Sequence, residues 1–430
     1  MRKYQRITVF GGGSILWTPD SVARMACSAS VRDAAVVLVD IDFEKAQQVA
    51  ALCNRMVARA YPGIGLEVSA APTLEQALPG SEAVFACYCN LGLQIEDRIN
   101  TISREVGSQQ CCFTSGPGAM LYVATQTPPM LQLVQAMRAL CPDAWLINCS
   151  NPLPAMVMVA VKAGLNSRKV LGFCGALPWY RKTLADFLQV DPERLKFRIG
   201  GTNHCTFLTE ILLDGADAYP LVHRRAHELG YLDLGCWGRT TTEIKLLEAT
   251  GYLCPGGHTT DIFPTIHGQW TPPGPEAPPK PSGFNRDFKQ VLTAYAEGTD
   301  VAWTPPTDSE VPILWLDALA GAPDVPCHFS INTTNSGAVP NLPDWSVPDL
   351  ECHVDERGVH PLTTPPLPEM IAEVVRRHHV AFEMAARAAV ARDHSLLVQA
   401  IQLQPFGDYM PSAETIVAKA REQLGADLIF

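Results

Sequence analysis

Cys174 ends the run Leu171-Gly172-Phe173-Cys174, and His204 ends Gly200-Gly201-Thr202-Asn203-His204. A thiolate and an imidazole together suit a borderline-soft divalent transition ion. Two protein ligands also leave positions open for substrate hydroxyls or water, as a catalytic metal requires. Between the two residues the sequence predicts a helix over Trp179 to Leu188. A turn at Val190-Asp191-Pro192 and an extended run from Leu195 to Ile199 follow. The thiol and the imidazole converge if the strands carrying them are neighbours. Alone, the pair says little, because cysteines are usually buried and lone histidines are usually structural.

The elements before this pair add weight. Ile7 to Phe10 reads as a short buried strand, followed at once by Gly11-Gly12-Gly13-Ser14. Thr18 is placed as the N-cap of a helix, with Pro19 in its first turn. A second strand, Ala35 to Val39, ends on Asp40. Strand, glycine turn, helix, strand and acid is the order of a dinucleotide site. The turn lets a pyrophosphate approach the backbone, and the helix N-terminus offers N–H groups and a favourable dipole. A carboxylate at Asp40 accepts from ribose hydroxyls and repels a 2′-phosphate, which favours NAD over NADP. Leu16 stands where the third glycine of the usual fingerprint would be.

The alternation continues with a helix over Phe43 to Arg59 and a strand over Ala83 to Cys87. Asn90 to Arg104 is mixed and polar; Ser115-Gly116-Pro117-Gly118 reads as a tight turn before helical sequence to Leu140. Ala144 to Asn148 is a strand that leads into Asn151-Pro152. Such alternation predicts an α/β fold, an N-terminal Rossmann-like, doubly wound parallel sheet over 1–195. Residues 196–430 are expected to form an α+β domain for substrate binding and oligomerisation. In such sheets ligands bind beyond the carboxyl ends of the strands. Gly11, Asp40, Asn90, Asn148, Asn151 and Cys174 all fall there. After His204 come a strand over Cys205 to Leu213, a helix over Thr241 to Ala249 and a polar loop holding His258 and Asp261. A Pro- and Gly-rich stretch, 264–283, reads as a covering loop or an insertion. Beyond it, helices are expected over Pro312 to Ala320, Glu369 to Ala391 and Ala413 to Leu424, with a strand after Asn341-Leu342-Pro343.

The 430 residues are enough for two sizeable cores. A net charge of −11 with no basic run argues against nucleic-acid binding. No apolar run is long enough to cross a bilayer. Ile7 to Phe10 is too short for a signal-peptide core, so the expected location is cytoplasmic. Fourteen cysteines without framework spacing fit reduced thiols.

These motifs, in this order, resemble the NAD- and divalent-metal-dependent family 4 glycoside hydrolases over almost the whole chain. The matching pieces are Gly11 to Ser14 with Thr18-Pro19, Val39-Asp40-Ile41-Asp42, Asp97-Arg98, Ser115 to Gly118 and Asn148 to Pro152. Cys174, Gly201 to His204, Asn335-Ser336-Gly337 and Asn341 to Pro343 continue the match. The resemblance implies NAD held by Gly11, Gly13, Ser14, Asp40 and Asn90, and a divalent metal, commonly manganese, on Cys174 and His204. It implies substrate contacts from Asn151, with Arg98 and Asn203 as further candidates, and a homodimer or homotetramer. The implied reaction oxidises C3 of the sugar transiently, removes the C2 proton, eliminates the aglycone, adds water and returns the hydride. His258 and Asp261 are the candidates for proton transfer.

Two positions depart from the family habit. Gly175 follows the cysteine where a polar residue is usual, and Phe113 stands where members often carry Glu. The stretch from His258 to Phe263 looks more like the branch acting on unphosphorylated α-galactosides and uronides. The alternatives are a plain NAD-dependent dehydrogenase of a sugar or hydroxy acid, which would accumulate NADH, and a nucleotide-binding or regulatory protein that has lost catalysis, which would bind NAD without turnover.

Overall fold

The computed structural model describes residues 1–430 apart from 16, 93, 107–111, 175, 235–238, 256–311, 405–411, 426–428 and 430. Its frame is a sheet whose parallel part runs β6-β5-β4-β1-β2-β3. The strands are β1 (Arg6–Phe10), β2 (Ala35–Val39), β3 (Glu67–Ala71), β4 (Ala83–Ala86), β5 (Trp145–Asn148) and β6 (Val170–Gly172). Side chains alternate between faces along a strand. In β4, Ala83 and Phe85 accordingly join one core while Val84 and Ala86 join another. Two cores on two faces make the sheet doubly wound, as the alternation of strand and helix predicts.

The helices between these strands have sequence reasons. In α1 (Thr18–Cys27) Trp17 occupies the N-cap. The expected cap, Thr18, lies inside the helix and donates its hydroxyl to the Gly12 carbonyl instead (3.1 Å). In α2 (Phe43–Ala60) the Asp42 side chain caps by accepting from Lys45 N, and Val49, Leu52, Cys53 and Met56 face the core. After the short α3 (Leu74–Ala77), the polar stretch is the helix α4 (Gln94–Glu105), which buries Ile95, Ile99 and Ile102. Their helical spacing is hidden in the sequence by the charged residues around them. The Ser-Gly-Pro-Gly turn is the first turn of α5 (Gly116–Leu140), with Ser115 as N-cap. Next come α6 (Leu153–Lys162) and, after β6, α7 (Ala176–Leu188).

A separate three-stranded sheet follows, made of β7 (Leu195–Thr202), β8 (Cys205–Leu213) and β9 (Ala216–Asp217). With α8 (Tyr219–Leu229), β10 (Leu232–Asp233), β11 (Arg239–Thr240) and α9 (Thr242–Thr250) it encloses a smaller core that includes Leu195, Ile199, Leu208, Ile211 and Leu247. The chain then supplies α10 (Ile313–Leu319), β12 (His328–Asn332), β13 (Asp349–Asp355) and β14 (Gly358–Pro361). It closes with α11 (Glu369–Ala391), α12 (His394–Leu403) and α13 (Ala413–Leu424).

The strands β12, β13 and β14 extend the first sheet rather than form another. Asn332 pairs antiparallel with Gly172, giving one sheet of nine strands. Strands from both sides of residue 195 therefore share it. Among the described residues no helix is long and apolar enough to cross a membrane.

Candidate active site

The glycine turn is held between three strand ends. Gly11 has φ +86°, and a Cβ there would stand 2.3 Å from the Cys87 carbonyl oxygen, so the position accepts no side chain. Gly11 and Gly12 both donate to the Val39 carbonyl (2.9 and 3.1 Å), and Gly13 N donates to Asp40 Oδ2 (2.9 Å). The other carboxylate oxygen, Oδ1, accepts from Asp42 N (3.0 Å). Asp40 thus fixes the turn and keeps a lone pair on each oxygen for a ribose diol. Ser14 Oγ accepts from Trp17 N (3.3 Å), so the serine sits over the first turn of α1. The cradle fits a dinucleotide: a close backbone approach, a helix N-terminus and an acid at the next strand end.

Neighbouring strand ends are tied together in the same way. Ser150 Oγ donates to the Ala86 carbonyl (3.1 Å) and accepts from Tyr88 N (2.9 Å), which locks the end of β4 to that of β5. The buried Asn148 donates its amide to the Ser150 carbonyl (2.9 Å). Asn151 follows at the same edge and is joined to Pro152 by a cis peptide bond. Asn90 donates its backbone N–H to Gln126 Oε1 (2.7 Å) and its side-chain amide to the Thr125 carbonyl (2.8 Å), which turns it toward α5.

Cys174 and His204 come together: Sγ and Nε2 are 3.5 Å apart. They converge differently from the expectation of neighbouring strands. Cys174 follows β6 of the large sheet, while His204 lies in the two-residue turn between β7 and β8 of the small one. Gly201, with φ +150°, lets that hairpin close, since a Cβ there would lie 2.3 Å from the Cys205 carbonyl oxygen. His204 itself holds φ +61°, a region unfavourable to residues with a Cβ. Ligand bonds of about 2.3 Å to sulfur and 2.1 Å to nitrogen put the two donors roughly 3.1 Å apart at a right angle and 3.6 Å at a tetrahedral one. The observed separation falls between, so the pair fits one shared ion.

One family model, that of the family 4 glycosyl hydrolases, matches residues 6–190, and the model of that family's C-terminal domain matches residues 288–406. The chain belongs to glycosyl hydrolase family 4. Among curated relatives of this glycosyl hydrolase are a probable 6-phospho-beta-glucosidase and an alpha-galactosidase, both of Bacillus subtilis. The first is 25% identical, covering 94% of this chain and 93% of its own; the second is 23% identical, covering 98% of each. A solved 6-phospho-alpha-glucosidase from gut microorganisms, in complex with NAD and Mn2+, shares the fold with a TM-score of 0.82. It is 20% identical and covers 98% of both chains.

The glycosyl hydrolase surrounds the Cys174–His204 pair with residues that sequence reasoning missed. Asp349, wholly buried on β13, accepts from Thr206 Oγ1 (2.8 Å) and from Ser330 Oγ. Burial pushes its carboxyl up, while the two hydroxyls and the charge of His204 pull it down. His379 of α11 contacts Thr202 Oγ1 through Nε2 (2.9 Å), two residues before His204. Burial drives the pKa of His379 well below its ordinary value, and that of its neighbour His378 down to about 3. Nothing local marks these residues, because the contacts that tie them to the hairpin span more than a hundred positions of chain.

Other expected site residues are placed as follows. Asn203 is buried in the hairpin turn beside His204. Arg98 of α4 donates to the Gln423 carbonyl of α13, so reaching a sugar would require breaking that bond. Phe113 packs its ring on Tyr122 (centroids 5.6 Å apart), filling an apolar place where a glutamate would be poorly solvated. His258, Asp261, Gly175 and the stretch 264–283 lie outside the described residues.

Proposed function

We propose that this family 4 enzyme cleaves an unphosphorylated α-galactoside or uronide-type glycoside with NAD and one divalent metal, manganese by preference. The observation that carries the reading is the 3.5 Å approach of Cys174 Sγ to His204 Nε2, on the strand-end side of the sheet that also holds the Gly11–Asp40 cradle. When bound, NAD supplies a reversible hydride acceptor, and the metal supplies Lewis acidity toward sugar oxygens. The chain's part is to bind and to orient. Gly11, Gly13 and Ser14 hold the pyrophosphate, Asp40 holds the ribose, and Asn90 shapes the pocket wall. Cys174 and His204 hold the ion, and Asn151 and Asn203 orient the sugar hydroxyls around it. His258 and Asp261 remain the proposed proton-transfer groups. Arg98 serves the substrate only after it releases Gln423.

The alpha-galactosidase relative, matched from end to end, supports the choice of sugar. We also propose a cytoplasmic location, and a homodimer or homotetramer whose mass sedimentation would read directly. The deciding experiment is hydrolysis in D₂O with NAD⁺, Mn²⁺ and reductant, followed by NMR of the released sugar. On the oxidation–elimination route the C2 proton exchanges with solvent, so deuterium is expected at C2 and no net NADH. Full protium at C2 would overturn that route, and accumulating NADH would identify a dehydrogenase. Aryl α-galactosides and galacturonides should be turned over faster than their 6-phosphorylated counterparts; the reverse order would overturn the substrate assignment.

A further inference from the structure

A second group of metal-binding side chains lies at the antiparallel edge of the large sheet. His328 on β12 pairs in register with His353 on β13, which pairs with His360 on β14, so three imidazoles form one row across three strands. The rings of His328 and His353 are 5.2 Å apart, and those of His353 and His360 are 6.3 Å apart and stacked. Cys327 precedes His328, and its carbonyl accepts from Val354 N (2.8 Å), which ties the cysteine to the β13 edge. Ligand atoms of Cys327, His328 and His353 all lie within 4.8 Å of one another.

We propose that Cys327, His328 and His353 form a second metal site, for a zinc-type divalent ion, distinct from the Cys174–His204 pair. One sulfur and two imidazole nitrogens are a soft to borderline donor set, which favours zinc over magnesium. Carboxylates lie near both imidazoles, just beyond hydrogen-bond distance: Glu351 is 3.7 Å from His328 Nδ1, and Asp355 is 3.9 Å from His353 Nε2. Metal-bound histidines donate their remaining N–H to such groups, which orients the rings. Both carboxylates are themselves held, Asp355 by His360 (2.9 Å) and Arg357 N (2.8 Å), and Glu351 by Arg198 (3.3 Å). Donors around zinc stand roughly 3.3–3.8 Å apart, so the ligands must draw in by about 1 Å. The His328 and His353 side chains, 54% and 37% exposed, have the freedom to do so.

Three ligands leave the fourth position to water. His328 and Glu351 also line a cavity of about 500 Å³ floored by Phe173 and Trp315, so that position is reachable from solvent. On binding, the Cys327 thiol gives its proton to solvent, so affinity rises with pH. The ion clips β12 to β13, and β13 carries Asp349 four residues back from His353, about 13 Å at the rise of a strand. A bound zinc would therefore stiffen the strand that supports the Thr206 end of the active site.

Metal counting tests this directly. Reduced, metal-stripped protein is dialysed against Zn²⁺ and bound zinc is measured by atomic emission. The wild type should retain two ions per chain, and Cys327→Ser/His353→Gln should retain one fewer. Cobalt gives a second readout: Cys174→Ser/His204→Ala should still show thiolate-to-cobalt charge-transfer absorption, and adding Cys327→Ser should abolish it. Circular dichroism checks that each variant is folded, and the single exposed-residue change His328→Gln should weaken the cobalt band at least tenfold. An unchanged zinc count in Cys327→Ser/His353→Gln, or a cobalt band that survives Cys327→Ser, would overturn the proposal. A wild-type count of one that falls to none in Cys327→Ser/His353→Gln would support it and would fail the Cys174–His204 pair alone.

Discussion

Around the Gly11–Asp40 turn, polar groups are positioned by the backbone beside them. Gly13 N reaches Asp40, Asp42 N reaches the same carboxylate, and Ser150 bridges Ala86 and Tyr88. Around the Cys174–His204 pair the supports come from far along the chain. Thr206 meets Asp349 across 143 positions, and His379 meets Thr202 across 177. The first arrangement survives wherever the parallel strands form. The second exists only when four separate segments are packed together, so it should be the more sensitive to distant changes.

Several measurements would sharpen or break that contrast. Removing either side of the metal pair comes first: Cys174→Ser or His204→Ala should cut turnover about 10³-fold, equivalent to some 4 kcal/mol of lost electrophilic stabilisation. NAD binding followed by calorimetry should stay near the wild-type value in both. Chelation should have the same effect as these substitutions, and Mn²⁺ should reverse it.

Acid is the next lever. Folded His378, with its pKa near 3, stays neutral where an unfolded histidine near 6.5 is already protonated. Its stabilising contribution is complete above pH 6.5 and falls by about 1.4 kcal/mol per pH unit as the pH drops toward 3. His379 shifts in the same direction. Hydrogen exchange between pH 7 and 5 should therefore show α11 and the β7–β8 hairpin loosening before β1 and β2. Equal protection across all of them would contradict the contrast.

Gly11→Ala puts a methyl group into the Cys87 carbonyl at a positive φ and should cost about 1–3 kcal/mol, read as a lower denaturation midpoint. NAD affinity should fall with it, while metal affinity in the folded fraction stays unchanged. The mirror-image change is Asp349→Ala, expected to weaken metal binding about 10–100-fold with little effect on NAD. If Asp349→Ala disturbed NAD as strongly as metal, the two ends would be one unit. Asp40→Ala should be mildest, weakening NAD about tenfold and narrowing the preference over NADP.

The contrast also explains what the sequence disclosed. Glycines after an apolar strand, an acid at the next strand end and a proline in the first turn of a helix are local devices, and they locate Gly11, Asp40 and α1. The Cys174 and His204 pairing was legible as chemistry, but its geometry was not. It depends on a hairpin from one sheet meeting a strand end of another, and no periodicity encodes that. β3 is hard to read because Glu67 to Ala71 is short and alternates weakly, and α4 because Ile95, Ile99 and Ile102 sit among charged residues. Asp349 and His379 read as ordinary residues of a strand and a helix. Only their burial and their partners set them apart.

The pairing of Asn332 with Gly172 also has a temporal side. A growing chain emerges from its N-terminus, and β1 to β6 are out of the ribosome long before β12 and β13 exist. The nucleotide cradle can assemble during synthesis, with its neighbours already at hand. Asp349 arrives some 145 residues after His204, so the hairpin that carries the histidine must wait for its buried carboxylate. Until then β6 presents a bare edge able to pair with other chains. The Gly11–Asp40 turn would thus be in place before the Asp349 support of the His204 hairpin, and a chain stalled between α9 and β12 would be the form most prone to aggregate.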